Sequence, residues 1–583
     1  MTGMELLAGT AVSGIDVSPH AAQVTRLLFV VVFLALAFFV FRPELWRKIF
    51  LHRVDPRPAG LLRIFLGIAV LWTFIDLLPM ARFLFTDEGL WLTDMARYKY
   101  GGGLRRLWDP EQGFEHWWNY LTILWGKFTI LHFRSDPPFV FALYGLMMIS
   151  NLLMIVGLWT RWTTIATWLL VVQIYGYSRV FFIGGDLVLL SFLFMGIFTR
   201  WGEAYSADSW RRRRRAILGG ATAIPPLRKI PPWPLCLTIL QLAIIYCATG
   251  LLKSGPAWTS EFSALYYALN LDAFYRVYMT PAVAWAQYLG ILPVMTWMVR
   301  WWEILFPLAL VGMLINNYER ERAAGTWVGA PQWRKFLSWL CVAAAWIIAA
   351  YVTGVAARYY ASPEAALPVT LTMLLIPPVA IASYLGARSY LPRVFDFTRK
   401  WLLGKRLWLT FGVAMHVGID LTMNIGTFSE ITMSGYLAWL AGRDIDGLWR
   451  FLFSRPLEPG EASRPARDRA WKGLLLAPFD RLRHRAPGRA YVVCHHPDEA
   501  SVRRAALLRP WDLGGRLRFV ARKSVPRESL QLEIEGGQPI DGKRAGKALT
   551  SIFPGLWWLW PARLVPGLGN ASGGLANRIL GQR

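Results

Sequence analysis

The stretch "AIIYCATGLLKSGPAW", residues 243–258, begins as a membrane segment and ends on a lysine. From residue 233 to Leu252 the chain carries no charge, a length that suits a helix crossing a hydrocarbon layer of about 30 Å. Lys253 follows without a break, and Ser254-Gly255-Pro256 comes next. Two readings fit the lysine. It is either an anchor that snorkels to the headgroups or an amine held at the mouth of a buried site, where it can serve as a base. The small residues after it and the aromatic run "ALYYALNLDAFY" at 264–275 suit a cavity wall better than a headgroup surface.

The pattern repeats along the chain. Of 583 residues, 55% are hydrophobic, and they fall in solid apolar blocks of helical-span length rather than in amphipathic stripes. Solid blocks also exclude a transmembrane barrel, whose strands alternate over about 10 residues. The expectation is an all-α polytopic bundle with about ten spans near 24–41, 60–79, 138–159, 162–183, 186–201, 233–252, 292–315, 336–357, 367–387 and 405–425. The segment 426–441 reads equally as an eleventh span or an interfacial helix. Leu27–Phe41 is followed by "RPELWRK", a stop-transfer pattern rather than a signal-peptide cleavage site.

Net charge is +26, with the cations gathered in loops between the blocks. Topology and anionic lipid account for that better than nucleic acid, which is not expected as a partner. The loop 41–60, with Arg42, Arg47, Lys48, Arg53 and Arg57, and the loop 202–232, with Arg211–Arg215, should both face the cytoplasm. Four crossings separate them, and the same parity puts Lys253 and the Trp-rich loop 80–137 on the outer side. Four scattered cysteines, Cys236, Cys247, Cys341 and Cys494, offer neither a disulfide framework nor a zinc site, and no metal is expected.

Ionisable groups within spans cost about 2.5–3.5 kcal/mol each on insertion scales, so those present are functional candidates. Asp186 follows Gly184-Gly185 at a span mouth, where a helix N-cap is the competing reading. Glu303, in "RWWEILFP", sits beside Trp301 and Trp302, and a structural partner such as a neighbouring Arg would equally satisfy it. His416, Asp420 and Asn424 are spaced i, i+4, i+8 on one helical face. A His–Asp pair can hold an imidazole for proton transfer or act as interhelical glue.

From about residue 446 the composition shifts. "SRPLEPGEASRPARDR" is a Pro- and Arg-rich linker, and the tail reads as a small α/β unit: "RAYVVCHH" a strand, "DEASVRRAALLR" a helix, "GRLRFVAR" a second strand. The domain reading is therefore 1–54 an N-terminal segment with the first span, 55–445 the membrane domain, 446–488 the linker and 489–583 the tail.

Six motifs in order, "RIFLGIAVLWTFIDLLP", "LFTDEGLW", "GLWTR", "SRVFFIGGDLVLL", "IYCATGLLKSGPAW" and "HVGIDLTMNIGTFSEITMSGYLAWL", resemble the HTTM domain shared by vitamin K-dependent gamma-carboxylase and bacterial relatives. The resemblance covers roughly 55–445 and implies a multi-pass protein of the bacterial inner membrane. In the carboxylase a lysine in a similar context deprotonates a reduced quinone, and by position it matches Lys253. The resemblance thus implies Lys253 as base, His416 and Asp420 as proton handlers, and Asp186, Trp258, Glu303 and Asn424 at the walls of a quinone site. The chain departs from the carboxylase at Ile419, at "IGGD" and in lacking its large lumenal region, so glutamate carboxylation itself is not implied. The tail resembles a DCC-type thioredoxin-like domain in which Asp498, Glu499, Ala500 and Ser501 stand where the CxxC pair would be. Cys494 alone cannot run a disulfide cycle. The readings carried forward are a quinol-linked acid–base enzyme acting on a secreted peptide or protein, a non-enzymatic membrane factor for export, maturation or immunity of such a peptide, and a transporter.

Overall fold

The structure, a computed structural model, describes residues 20–100, 129–178, 180, 182–221, 225–326, 329–360, 364, 366–453, 491–512, 517–527, 530–534, 539–540 and 549. The tryptophans expected at 108, 117, 118 and 125, most of the linker and the "LANR" end lie outside the described residues. Among the described residues helix dominates, and five helices are long and apolar enough to cross a membrane: Arg57–Phe85, Pro137–Val156, Trp233–Leu252, Gln332–Val355 and Ala366–Tyr390. The count rises to seven if each of two bent pairs is one span, Phe29–Phe41 with Pro43–Leu51 (94°) and Thr280–Tyr288 with Ile291–Leu305 (83°). These helices are consistent with a membrane protein.

In chain order the main helices are α1 His20–Phe41, α2 Arg57–Leu77, α3 Pro137–Val156, α4 Thr160–Tyr177, α5 Gly184–Phe198, α6 Ala207–Leu218, α7 Trp233–Leu252, α8 Thr280–Tyr288 and α9 Ile291–Leu305. They continue as α10 Leu308–Ala323, α11 Gln332–Tyr360, α12 Ala366–Tyr390, α13 Lys405–Thr422, α14 Phe428–Gly435, α15 Gly442–Phe453 and α16 Glu499–Leu508. Several expected spans are helices that fall short of a full apolar crossing for visible reasons. Four threonines, Arg161 and Gln173 dilute α4. α5 is only 15 residues long. The block 292–315 is cut at Phe306-Pro307, so α9 ends there and α10 finishes on a charged run containing Glu319, Arg320, Glu321 and Arg322. Pro377 and Pro378, in contrast, sit inside a continuous α12.

The chain divides into two compact units. The first comprises residues 1–52, 231–236 and 240–424. In it α1 and α12 both pack along α11, and α10 packs against α13. Residues 423–424 return to the segment after Lys253: Tyr275 bridges Met423, and the Asn424 amide donates to the Phe274 carbonyl at 2.8 Å.

The second unit comprises residues 53–230, 237–239 and 425–583. Here α2 packs against α3, α5 and α14, while α4 lies between α3 and α5. The turn "GLWTR" has a local cause. Gly157 ends α3 with φ +74, and a Cβ there would lie 2.4 Å from the Ser206 Cβ. Asp208 then accepts from the Trp159 and Thr160 amides at 2.9 and 2.8 Å, supplying the start of α4 with the acceptor its orphan donors need. Arg63, wholly buried in α2, donates to the carbonyls of Trp201 and Ala204 at 2.9 and 3.4 Å and to those of Ile155 and Tyr205.

The tail forms a four-stranded mixed sheet of β1 Tyr491–His495, β2 Leu517–Ala521, β3 Leu530–Ile534 and β4 Pro539–Ile540, in the order β2-β1-β3-β4. β1 and β2 are parallel, with α16 between them in sequence, and β3 is antiparallel to both β1 and β4. Val493, Leu508, Leu517, Leu532 and Leu549 form its core. The strand–helix–strand order read from the sequence is present, and β3 and β4 extend it.

Candidate functional site

One face of α7 organises the first unit's polar groups. Tyr246, Thr249, Gly250 and Lys253 recur at i, i+3, i+4 and i+7, so they lie above one another on the helix. Gly250 is where α9 comes closest. A Cβ there would sit 2.7 Å from the Ile304 amide nitrogen and 2.9 Å from the Glu303 Cβ. Only a residue without a side chain permits that approach. The close crossing carries the Glu303 carboxylate to the Lys253 ammonium, and the two form an ion pair. The Lys253 side chain keeps 21% of its exposure and that of Glu303 keeps 9%. Thr249 Oγ1 lies 3.4 Å from Glu303 Oε2, and the Lys253 Nζ stands 5.2 Å from the ring centre of Trp258, within cation–π range.

Lys253 is thus tied to α9 through Glu303. A cation and an anion held with this little water attract each other strongly, and each alone would be costly there.

Below it the same face meets α13. The Tyr246 hydroxyl is hydrogen-bonded to His416 Nε2 at 2.7 Å, and His416 is 1% exposed. An aromatic frame surrounds the contact, with Tyr246 4.8 Å from Trp302 and 4.6 Å from Phe306, and Trp302 5.3 Å from Phe411. Asp420 shares the helical face with His416 but bonds elsewhere: its carboxylate is paired with Arg276 at 3.3 Å. The reason is local. The bridge between Tyr275 and Met423 pins the 272–276 segment beside the end of α13, which offers Asp420 a guanidinium. Asn424 belongs to that same junction through its backbone. The expected His–Asp pairing is therefore replaced by two separate pairs, each closed by a residue from another part of the chain.

In the second unit Asp186 is 5% exposed and accepts from the Tyr175 hydroxyl at 2.7 Å and from the Ile183 amide at 2.8 Å. The latter bond is half of a capping box and satisfies an orphan donor at the start of α5. Gly185 gives the close approach that its position suggested, since a Cβ there would lie 3.1 Å from the Phe428 Cα. Asp186 accordingly has a structural task.

Two residues that sequence reasoning passed over, Tyr246 and Arg276, complete the arrangement with Trp302, which it named only as a neighbour of Glu303. Tyr246 carried a signal, standing seven residues before Lys253 and hence on its face. Arg276 and Trp302 carried none beyond proximity, because their partners come from distant segments. Among the described residues no group of three or more His, Cys, Asp or Glu is placed to hold a metal ion. No family model, curated protein or solved structure matches the chain.

Proposed function

We propose that this chain is an integral protein of the bacterial inner membrane, related to the HTTM and vitamin K-dependent gamma-carboxylase group, that carries out quinol-linked acid–base chemistry with Lys253 as base. The observation that carries the reading is the Lys253–Glu303 pair, held under Trp258 at the end of a span. In this reading about ten crossings make up the bundle, the shorter helices α4, α5 and α13 counting among the spans. The sheet order β2-β1-β3-β4 supports a thioredoxin-like tail without its thiol pair.

The residues fit a quinone. The frame around Tyr246 is aromatic, and Trp302 Nε1 is buried without a hydrogen-bond partner among the described residues, a donor that an oxygen acceptor would satisfy. When bound, a reduced quinone would supply the acidic hydroxyl and the oxygen-dependent chemistry that follows its deprotonation. The protein's part is proton handling. Passing the ammonium proton to Glu303 leaves a neutral Lys253 amine, which then takes one proton from the bound acid and becomes a cation again. His416 and Tyr246 hold α13 against α7 and keep this amine in place. The Arg276–Asp420 pair fixes the loop after Lys253, where a secreted peptide or protein would approach.

A second reading rests on the same pair. An ion pair between α7 and α9 is also a sufficient interhelical lock, as a non-enzymatic membrane factor would need. Purified protein in lipid nanodiscs, given reduced menaquinone or vitamin K and oxygen, distinguishes the two. The enzyme reading expects oxygen consumption above that of the protein-free nanodisc and formation of the quinone epoxide. Absence of both with either quinol rejects it in favour of the second reading.

A further inference from the structure

We propose that residues 427–446 form an additional membrane crossing, antiparallel to α2, which returns the chain to the Arg-rich side and sets the C-terminal domain there. The two ends of this segment are fastened to opposite ends of α2. At one end the Thr427 hydroxyl is hydrogen-bonded to that of Thr73, near the C-terminus of α2. At the other, Asp446 is paired with Arg57, the first residue of α2, and the Gly442 carbonyl accepts from Arg57 at 3.2 Å. From Arg57 to Thr73 the helix rises about 24 Å at 1.5 Å per residue. From Thr427 to Gly442 a largely helical chain covers about the same distance, most of a hydrocarbon layer of about 30 Å. Between those ends α14 and the 3₁₀ turn Tyr436–Trp439 both pack on α2.

Hydropathy conceals this crossing because the segment does not face lipid. Ser429, Ile431, Thr432, Ser434, Tyr436, Ala438 and Trp439 are all at most 5% exposed. Backbone that leaves the α-helix, and hydroxyls along it, are tolerated at membrane depth where protein encloses them. The hydroxyls of Thr432 and Ser434 are satisfied by the Phe428 and Ile431 carbonyls at 2.7 and 2.6 Å.

The far end meets the basic loops. Val54 and Ile230 bridge one another with bonds of 2.8 and 3.0 Å, so the loops before α2 and before α7 lie together at the Arg57 end. The tail docks on that same region. Ile217 of α6 is buried with Ala506 and Leu507 of α16, and Trp210 meets Trp511 edge-on at 5.9 Å. α6 carries Arg211–Arg215, which the positive-inside rule assigns to the cytoplasm. An even number of passes after residue 230 follows, and the tail shares the cytoplasmic side with α6. The inference is independent of any chemistry at Lys253.

The test uses five single-cysteine additions in the otherwise native full chain: Glu88→Cys, Arg228→Cys, Ile425→Cys and Arg443→Cys, and Lys523→Cys for the tail. Intact and permeabilised cells are treated with a membrane-impermeant maleimide, and the peptide bearing the new cysteine is read by mass spectrometry. Cysteines at 88 and 425 should be modified in intact cells. Those at 228, 443 and 523 should be modified at least ten-fold more after permeabilisation. Modification of 425 and 443 from the same side overturns the crossing, and modification of 523 together with 88 overturns the placement of the tail. Arg443 and Lys523 are exposed, so each reports sidedness without disturbing a buried contact.

Discussion

Removing the Glu303 carboxylate asks most directly whether Lys253 is tied into the bundle or merely rests at its rim. Glu303→Gln keeps the shape and deletes the charge, leaving Lys253 with one-fifth of its side chain exposed and no counter-charge from α9. Breaking a buried ion pair from one side costs about 3–5 kcal/mol, because the remaining charge is stranded. Lys253 ends α7 and can swing toward water, so the low end, about 3 kcal/mol, applies. Lys253→Met should cost about the same for the mirror-image reason. The double variant strands neither charge, so it should cost less than the about 6 kcal/mol of the two singles together, a coupling of about 3 kcal/mol or more. Unfolding titrations in mixed micelles on the four proteins measure it. Additivity within about 0.5 kcal/mol would refute the pairing and return Lys253 to a headgroup anchor.

Gly250→Val should lower stability by about 1–3 kcal/mol, since its side chain drives into the Ile304 backbone; the same titration reads it, and an unchanged midpoint would mean α7 and α9 do not cross there. Arg63→Lys should be almost as damaging as Arg63→Met, because an ammonium cannot serve carbonyls spread over residues 155–205 as a guanidinium does. Yield of folded protein after detergent extraction checks this, with full recovery by Lys the contrary result. In the tail, the Ser501 amide and then the Ser501 and His496 side chains hold the Asp498 carboxyl down to about 2, from 3.8. A depressed carboxyl contributes stability above its unfolded value and loses it as pH falls through the folded one. Hydrogen-exchange protection of Glu499–Leu508 should therefore decline between pH 3.8 and about 2, and Asp498→Asn should remove that dependence.

What the sequence made legible follows from what lipid demands. Helices such as Trp233–Leu252 and Pro137–Val156 advertise themselves, because a face turned to hydrocarbon tolerates few polar groups. The strand–helix–strand start of the tail was readable from its apolar runs, and the structure adds the Asp498 cap at the start of α16. The segment 426–441 was ambiguous for the opposite reason: packed on α2 and α5, it is free to carry Ser429, Thr432 and Ser434. The break of 292–315 at Phe306-Pro307 was marked by its proline, yet Pro377-Pro378 passed through α12 unbroken, so proline alone did not decide.

At the candidate site, helical spacing placed His416 and Asp420 on one face but could not name their partners. Tyr246 and Arg276 arrive from elsewhere in the chain, and each is brought in by a tertiary contact. For Glu303 the need for a cation was readable but its source was not, since a neighbouring Arg was expected. A lone carboxylate beside two tryptophans in an apolar helix needs a cation, and Lys253 at the end of another span supplied it.

The central claim is that the Lys253 amine removes a proton, and its most direct test compares Lys253→Arg with Lys253→Met in nanodiscs supplied with reduced quinone. Arginine keeps the charge and the pairing with Glu303 but is never a neutral base. The account predicts that the arginine variant stays folded and loses quinol-dependent oxygen consumption as fully as the methionine variant. Full activity in the arginine variant would contradict it.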